Sequence, residues 1–434
     1  MNETLSHSNA TAAKAASSRS SAVTWQQRAV LRAFSAMTRG HLQIHLPDGS
    51  LWQVGQPGAA VSAIMRVRST AFFEKCVLFG DIGFGEAYVD GDWETDGIER
   101  VIQWAILNID HSPGLSGSRI RAGLLNLFQI ANRVGHWLRP NSIATSKRNI
   151  AEHYDLGNSF YELWLDRTMT YSSALFSSAS QPLEDAQSAK YDALCRKLQI
   201  KPTDHVLEIG SGWGGFCTHA ARHYGCRVTT ITISERQCEY ARERVRREGL
   251  ADRIEVRLQD YRLVEGSFDK VVSIEMMEAL GDRYLDAYFQ KIHEVLAPHG
   301  LVALQYITVP DSRHAELRRG VDWIQKHIFP GSLLLSVGRV NESLQRTGDL
   351  FLHDLEDLGA SYAKTLHLWW ERFNAQHAAV TALGFGESFI RKWNYYLQYC
   401  EAAFASRNIS VVQAVYTRPN NAALHTEFAP PTRS

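Results

Sequence analysis

Four glycines fall within six residues at Gly210-Ser-Gly-Trp-Gly-Gly215, directly after the apolar run Val206-Leu-Glu-Ile209. Helix-forming residues resume at Cys217-Thr-His-Ala-Ala-Arg222. A strand, a glycine turn and a helix let the backbone come very close to a ligand, with helix N–H groups aimed at it. Read as a bare pattern, Gly210-x-Gly212-x-x-Gly215 fits the dinucleotide fingerprint, so NAD has to be weighed. Two features turn the reading towards S-adenosylmethionine. Glu208 stands two residues before the first glycine, where an adenosylmethionine loop typically carries an acid. The next strand, Arg227-Val-Thr-Thr-Ile-Thr-Ile233, ends without the acid that a nicotinamide enzyme places on its ribose. It continues as Ser234-Glu-Arg-Gln237, a helix N-cap with Gln237 in the capping-box position. A plain β–α turn with no ligand is the alternative, but four clustered glycines cost conformational entropy that such a turn does not need.

The elements around this loop alternate. Helix 187–199, strand 205–209, helix 214–223, strand 227–232, helix 235–248, strand 253–257, strand 268–273, helix 283–296 and strand 301–307 follow in order. That rhythm predicts a doubly wound, mostly parallel sheet. Upstream, residues 25–110 read as a small α+β domain. His41 to Leu46 forms a strand entering the Pro47-Asp-Gly49 turn, and a strand follows over Val61 to Arg68. Thr70 to Leu78 reads as a short helix, Gly80 to Trp93 as turn-rich, and Ile98 to Ile109 as an apolar helix. Residues 1–24 read as a disordered tail and 147–434 as the catalytic domain. Between the domains, a basic amphipathic linker is expected over 111–146. Residues 111–150 carry six Lys or Arg and no acid, with Leu124, Leu125, Phe128, Ala131, Val134, Trp137 and Leu138 at helical spacing. Packing between domains and lying on anionic lipid are both open to that segment.

Composition narrows the class. Acid and base balance at 46 against 46 across 434 residues, so no basic field advertises nucleic acid. Six cysteines without a CxxC pair read as thiols of a reducing cytoplasm, not as a metal site or a disulfide frame. No apolar run approaches the length of a membrane span.

Further stretches carry potential chemistry. Upstream of the sheet stand Glu152-His-Tyr-Asp-Leu-Gly-Asn-Ser-Phe-Tyr-Glu-Leu-Trp-Leu-Asp166 and Thr170-Tyr-Ser-Ser-Ala-Leu-Phe176. Downstream come Ile274-Glu-Met-Met-Glu-Ala-Leu-Gly281, Ser361-Tyr-Ala-Lys-Thr-Leu-His-Leu-Trp-Trp370 and Trp393-Asn-Tyr-Tyr-Leu-Gln-Tyr-Cys-Glu-Ala-Ala-Phe404. With these in place, the chain from about Gly40 to Val415 resembles bacterial cyclopropane fatty acid synthases of the type with an N-terminal domain. The resemblance implies a class I methyltransferase fold with helical additions. It also implies methyl transfer from S-adenosylmethionine to a cis double bond of a phospholipid acyl chain. A carbocation would form, and a bound bicarbonate would remove a proton so that the ring closes.

Residue by residue, the resemblance assigns cofactor contacts to Tyr171, Ser172, Glu208, Gly210, Gly212, Gly214, Thr232, Ile233, Gln237, Asp260 and Tyr261. The bicarbonate site would comprise Glu278, Tyr362, Gln305 and Ser173, with Cys400 beside the pocket. Two of these depart from the family pattern: Ser173 stands for a Cys and Gln305 for a His. Serine and glutamine still offer donors to an anion, yet glutamine cannot titrate near neutral pH. An altered base site leaves a methyl- or methylene-branched product open beside the cyclopropane, and a non-catalytic lipid-binding homologue as a third possibility. Taken without the resemblance, Glu278 could be a solvated acid, Tyr362 a core tyrosine, Cys400 a buried thiol and His153 a structural residue. Trp369, Trp370, Phe373, Trp393, Tyr395 and Tyr396 read mostly as core, with some rings lining an acyl tunnel. The expected partner is unsaturated membrane phospholipid, met by a cytoplasmic enzyme at the inner membrane face. A homodimer is in keeping with the resemblance.

Overall fold

The computed structural model describes residues 23–111, 156–318 and 320–424. The tail expected over 1–24 (apart from its last two residues), nearly all of the basic linker, and His153 lie outside the described residues.

The larger sheet has seven strands: β5 (His205–Ile209), β6 (Arg227–Thr232), β7 (Ile254–Leu258), β8 (Phe268–Ile274), β9 (Leu296–Thr308), β10 (Phe351–Asp357) and β11 (Ser410–Thr417). Their order is β10-β11-β9-β8-β5-β6-β7. Strands β7, β6, β5, β8 and β9 run parallel, and β11 pairs antiparallel with both β9 and β10. The expected doubly wound, mostly parallel sheet is therefore observed. From β5 the chain steps outward to β6 and β7, then returns to lay β8 on the other side. That reversal opens a crevice at the strands' carboxyl ends, where ligands of such sheets bind. Two apolar cores sandwich the sheet. One gathers under helices Leu183–Lys197, Gly215–Tyr224 and Glu235–Arg247, the other under Leu285–Val295 and Val337–Thr347.

Ahead of it in the chain, β1 (His41–His45), β2 (Leu51–Gly55), β3 (Ser62–Val67) and β4 (Trp93–Thr95) form a second sheet in the order β2-β1-β3-β4. Its β1–β2 hairpin turns at Pro47-Asp-Gly49, as that tripeptide predicts. The stretch read as turn-rich corrects the sequence reading. One helical segment runs Ala71–Val89 and is broken only at Gly80, whose φ of 58° and ψ of −128° admit no ordinary side chain. Tertiary packing overrides the glycine content here. A Cβ on Gly85 would lie 2.5 Å from the Trp323 ring and 2.9 Å from the Tyr395 ring. The bare backbone thus lets this helix press against the larger unit. Polar contacts reinforce the joint. Arg391 donates to the carbonyls of Tyr88 and Trp93, while Gln398 accepts from the Ile98 N–H and donates to Glu99. A single apolar core runs from Leu42 and Ile44 through Phe72 and Trp93 to Trp369 and Trp393.

Candidate active site

Glycine geometry at the end of β5 shapes one wall. Gly210, Gly212 and Gly214 have φ of 99°, 48° and 85°, a left-handed path that side chains resist. The N–H groups of Gly210 and Ser211 both donate to the Ile231 carbonyl, tying the loop to the end of β6. Across the crevice, Ser234 caps helix Glu235–Arg247 through the Gln237 N–H. The Thr232 hydroxyl donates to the Gln237 side-chain carbonyl. Tyr261 presents a buried hydroxyl with no hydrogen-bond partner among the described residues. Asp260 is engaged on both carboxylate oxygens by Arg262, at 2.8 and 2.6 Å. Behind the loop, Glu208 is buried between Thr230 and Cys217, and burial pushes its carboxyl up to about 8.

Most of these groups open onto one cavity of about 940 Å³. The expected cofactor residues Tyr171, Ser172, Glu208, Gly210, Gly212, Thr232, Ile233, Gln237, Asp260 and Tyr261 line it; Gly214 sits behind the loop. A glycine floor without side chains, a capped helix start and an unpartnered tyrosine hydroxyl fit a nucleoside-bearing ligand. The opposite wall is apolar and aromatic. It includes Phe34, Phe79, Ile82 and Trp104 of the small unit, with Tyr395, Tyr396 and Tyr399 of helix Glu387–Ala405. Of the aromatic cluster, Trp369, Phe373 and Trp393 are core, and Tyr395 and Tyr396 face the cavity. Nothing in the sequence reading placed the small unit in this wall. The volume lies near the upper end of ordinary ligand sites and leaves space beside a nucleoside for an apolar chain.

Between the two walls lies the expected anion site. Ser173, Gln305 and Tyr362 do converge, but on Glu275 and not on Glu278. The Ser173 N–H and Gln305 Nε2 each donate to Glu275 Oε1 at 2.8 Å, and the Tyr362 hydroxyl donates to Glu275 Oε2 at 2.8 Å. Ser173 acts through its backbone, since its own hydroxyl donates to the Ala174 carbonyl. Gln305 is oriented in turn by Gln413, whose amide donates to its Oε1 at 3.1 Å. Glu278, on a 3₁₀ turn, lines the same cavity; its Oε1 accepts from the Ile307 N–H at 2.5 Å and its Oε2 is buried with no hydrogen-bond partner among the described residues. Burial, helped by the charge of Glu275, pushes its carboxyl up to about 8, so Glu278 is mainly protonated at neutral pH. Cys400 stands in the cavity wall with its thiol pushed well up by burial, which leaves it without thiolate character.

Glu275 was missed in the sequence, and so was Lys190. Glu275 follows directly after β8 with a φ of 48°, a left-handed conformation rare outside glycine and asparagine. Burial raises its carboxyl above the ordinary range. Gln305, the Ser173 N–H, the charge of Lys190 and the Tyr362 hydroxyl all pull it back. Lys190 is fully buried, donates to the Ser172 hydroxyl at 2.7 Å and lies 4.2 Å from the Tyr191 ring centroid. Burial lowers its ammonium to about 7, against the attraction of Glu275, Asp166 and Glu208. The only sequence signal for either was an acid at a strand end and a lysine on a helix otherwise turned inward.

The donors expected to hold a bicarbonate are thus occupied by a side chain. At an effective dielectric of about 20, a second anion roughly 4 Å from an ionised Glu275 would meet about 4 kcal/mol of repulsion. The residues present do not fit a separate anion at this point.

Comparison with known proteins agrees with this architecture. The family model for mycolic acid cyclopropane synthetase matches residues 141–414. Tuberculostearic acid methyltransferase of Mycobacterium tuberculosis is 37% identical over 396 residues, covering 87% of this chain and 88% of that protein. Cyclopropane-fatty-acyl-phospholipid synthase of Escherichia coli is 34% identical over 390 residues, covering 87% of this chain and 96% of that one. Among solved structures, a mycolic acid cyclopropane synthase complexed with SAH and CTAB superposes with a TM-score of 0.58 at 29% identity. It covers 63% of this chain and 98% of that chain.

Proposed function

This chain belongs to the mycolic acid cyclopropane synthetase family, and from that premise we propose that it methylates the cis double bond of an unsaturated phospholipid acyl chain. It is an S-adenosylmethionine-dependent methyltransferase of the cyclopropane fatty acid synthase group. The observation that carries the lipid reading is the shared cavity. A glycine-floored nucleoside site and a long aromatic and aliphatic wall open onto the same space, with a buried carboxylate between them.

When bound, S-adenosylmethionine supplies an electrophilic methyl group. The Gly210–Gly214 turn, Thr232, Ile233, Gln237 and Tyr261 would hold it, with Asp260 and Arg262 closing the adenine end. The apolar wall excludes water, which protects a carbocation from hydration. The faces of Tyr395, Tyr396 and Tyr399 offer it electrostatic stabilisation. Cyclopropane is the product proposed first. A methyl- or methylene-branched chain is the second reading. It is favoured by the non-titrating Gln305 on the base and by the similarity to a tuberculostearic acid methyltransferase. A substrate of this kind is met at a bilayer surface, so the enzyme would work as a peripheral protein on the cytoplasmic face. Among the described residues no helix is long and apolar enough to cross a membrane.

Incubation with methyl-labelled S-adenosylmethionine and unsaturated phospholipid vesicles tests the proposal. Label should enter the acyl chains, and NMR of the released fatty acids separates ring from branch. Cofactor binding without acyl label would overturn it.

A further inference from the structure

We infer that Glu275 is the proton acceptor of the reaction, a base built into the chain at the place where a free anion would otherwise be held. The inference rests on the acyl-methylation reading above and goes beyond it by assigning the deprotonation step to a residue.

The geometry is that of a held carboxylate. Oε1 receives the Ser173 N–H and Gln305 Nε2, and Oε2 receives the Tyr362 hydroxyl. Such charge-assisted bonds fix orientation as well as charge. The residue lines the cavity between the glycine loop and the aromatic wall, so a lone pair can face a bound chain. Its backbone is in the left-handed region, and its N–H donates to the Gln305 carbonyl at 2.7 Å. Unusual backbone of this kind persists where the surroundings over-determine it, and functional sites are where it collects. Burial raises the carboxyl, which moves it towards the pH at which a base is effective. Lys190, in its charged form, favours the ionised carboxylate.

The step balances without a co-reactant. The alkene π pair forms a bond to the transferred methyl carbon as the carbon–sulfur bond breaks and its electrons stay on sulfur. The neighbouring alkene carbon is left as a cation. Glu275 takes a proton from the transferred methyl, and the freed C–H pair closes the three-membered ring. If a hydride first shifts to the cation, the same abstraction leaves a methylene branch. Either way the products are one modified chain, S-adenosylhomocysteine and one proton, which Glu275 later passes to solvent. Glu278 lines the same cavity, but burial and the charge of Glu275 keep it mainly protonated, so Glu275 and not Glu278 is the acceptor.

The test uses the full-length enzyme, unsaturated phospholipid vesicles and labelled S-adenosylmethionine in buffer stripped of carbon dioxide. Wild-type rate is expected to be unchanged when bicarbonate is added. Glu275→Gln should lose about 10²–10⁴-fold in kcat, the range for a lost general base, while calorimetry finds the cofactor still bound. Glu275→Gly, which opens the site, should regain part of the rate with added formate or bicarbonate, a readout that a merely structural role would not move. A wild-type enzyme that needs bicarbonate, or a Glu275→Gln enzyme at full rate, overturns the inference and leaves acyl methylation standing. Absence of acyl label from the wild type overturns both.

Discussion

Gln305 Nε2 donates to Glu275 Oε1 over 2.8 Å, and these two residues come from neighbouring parallel strands, β9 and the end of β8. The pair is held from behind by Gln413 on β11, so three adjacent strands set the direction of one carboxylate. Because Gln305 lowers the Glu275 carboxyl, its loss must raise it further. Gln305→Leu should therefore move the acidic limb of the pH–rate profile to higher pH, since less of the base is ionised at any given pH. A profile recorded on both enzymes checks this. An unshifted limb would mean that the amide does not act on the base.

Tyr362 is the other fixed donor. Removing its hydroxyl in Tyr362→Phe leaves Glu275 Oε2 short of a buried partner, a loss of roughly 1.5–3 kcal/mol for a bond to a charged group. We expect kcat to fall about 10- to 100-fold with KM for the cofactor little changed. Steady-state kinetics with the cofactor varied would show the split.

Glu278 gives a stability prediction with a definite sign. Its folded value of about 8 lies above the ordinary glutamate value of 4.5, so the folded state holds the proton more tightly. The associated stability is fully present below about 4.5 and is lost as pH rises through about 8. Glu278→Gln removes that dependence. Denaturant melts should show the variant gaining on wild type, by up to a few kcal/mol, as pH is raised from 6 to 9. A constant difference across that range would contradict the assignment.

The joint between the units is separable from the cofactor loop. Gly85→Leu would drive a side chain into Trp323 and Tyr395, an overpacking cost of about 1–3 kcal/mol or more. Lipid methylation should fall sharply while calorimetric cofactor affinity stays near wild type. Gly212→Ala should do the reverse. Its Cβ meets no protein atom within 4 Å, yet it stands in the cavity and requires a φ of 48°. It should weaken cofactor binding about tenfold at a stability cost of only about 1–2 kcal/mol.

Periodicity and glycine punctuation made the methyltransferase sheet legible. Strands β5 and β6 begin and end where the apolar runs at His205–Ile209 and Arg227–Thr232 do. Ser234 caps its helix as its spacing from Gln237 implies. Ser173, Gln305 and Tyr362 were expected to share an anion site with Glu278; in the structure all three donate to Glu275, three residues earlier. Glu275 and Glu278 are chemically identical in the text. A left-handed turn at Glu275 decides which one meets Tyr362, and the two partners are 87 residues apart in sequence. Gly80 to Trp93 was misread for a similar reason: Gly85 serves close packing against Trp323 and Tyr395, which local propensity cannot register.

The most direct measurement of the central claim uses S-adenosylmethionine carrying a deuterated methyl group, with mass spectrometry of the acyl chains after reaction. The account predicts acyl chains that have gained the labelled carbon and lost one of its deuterons, as deprotonation of the transferred methyl requires. A chain retaining the whole deuterated methyl, or label found anywhere except the acyl chains, would contradict it.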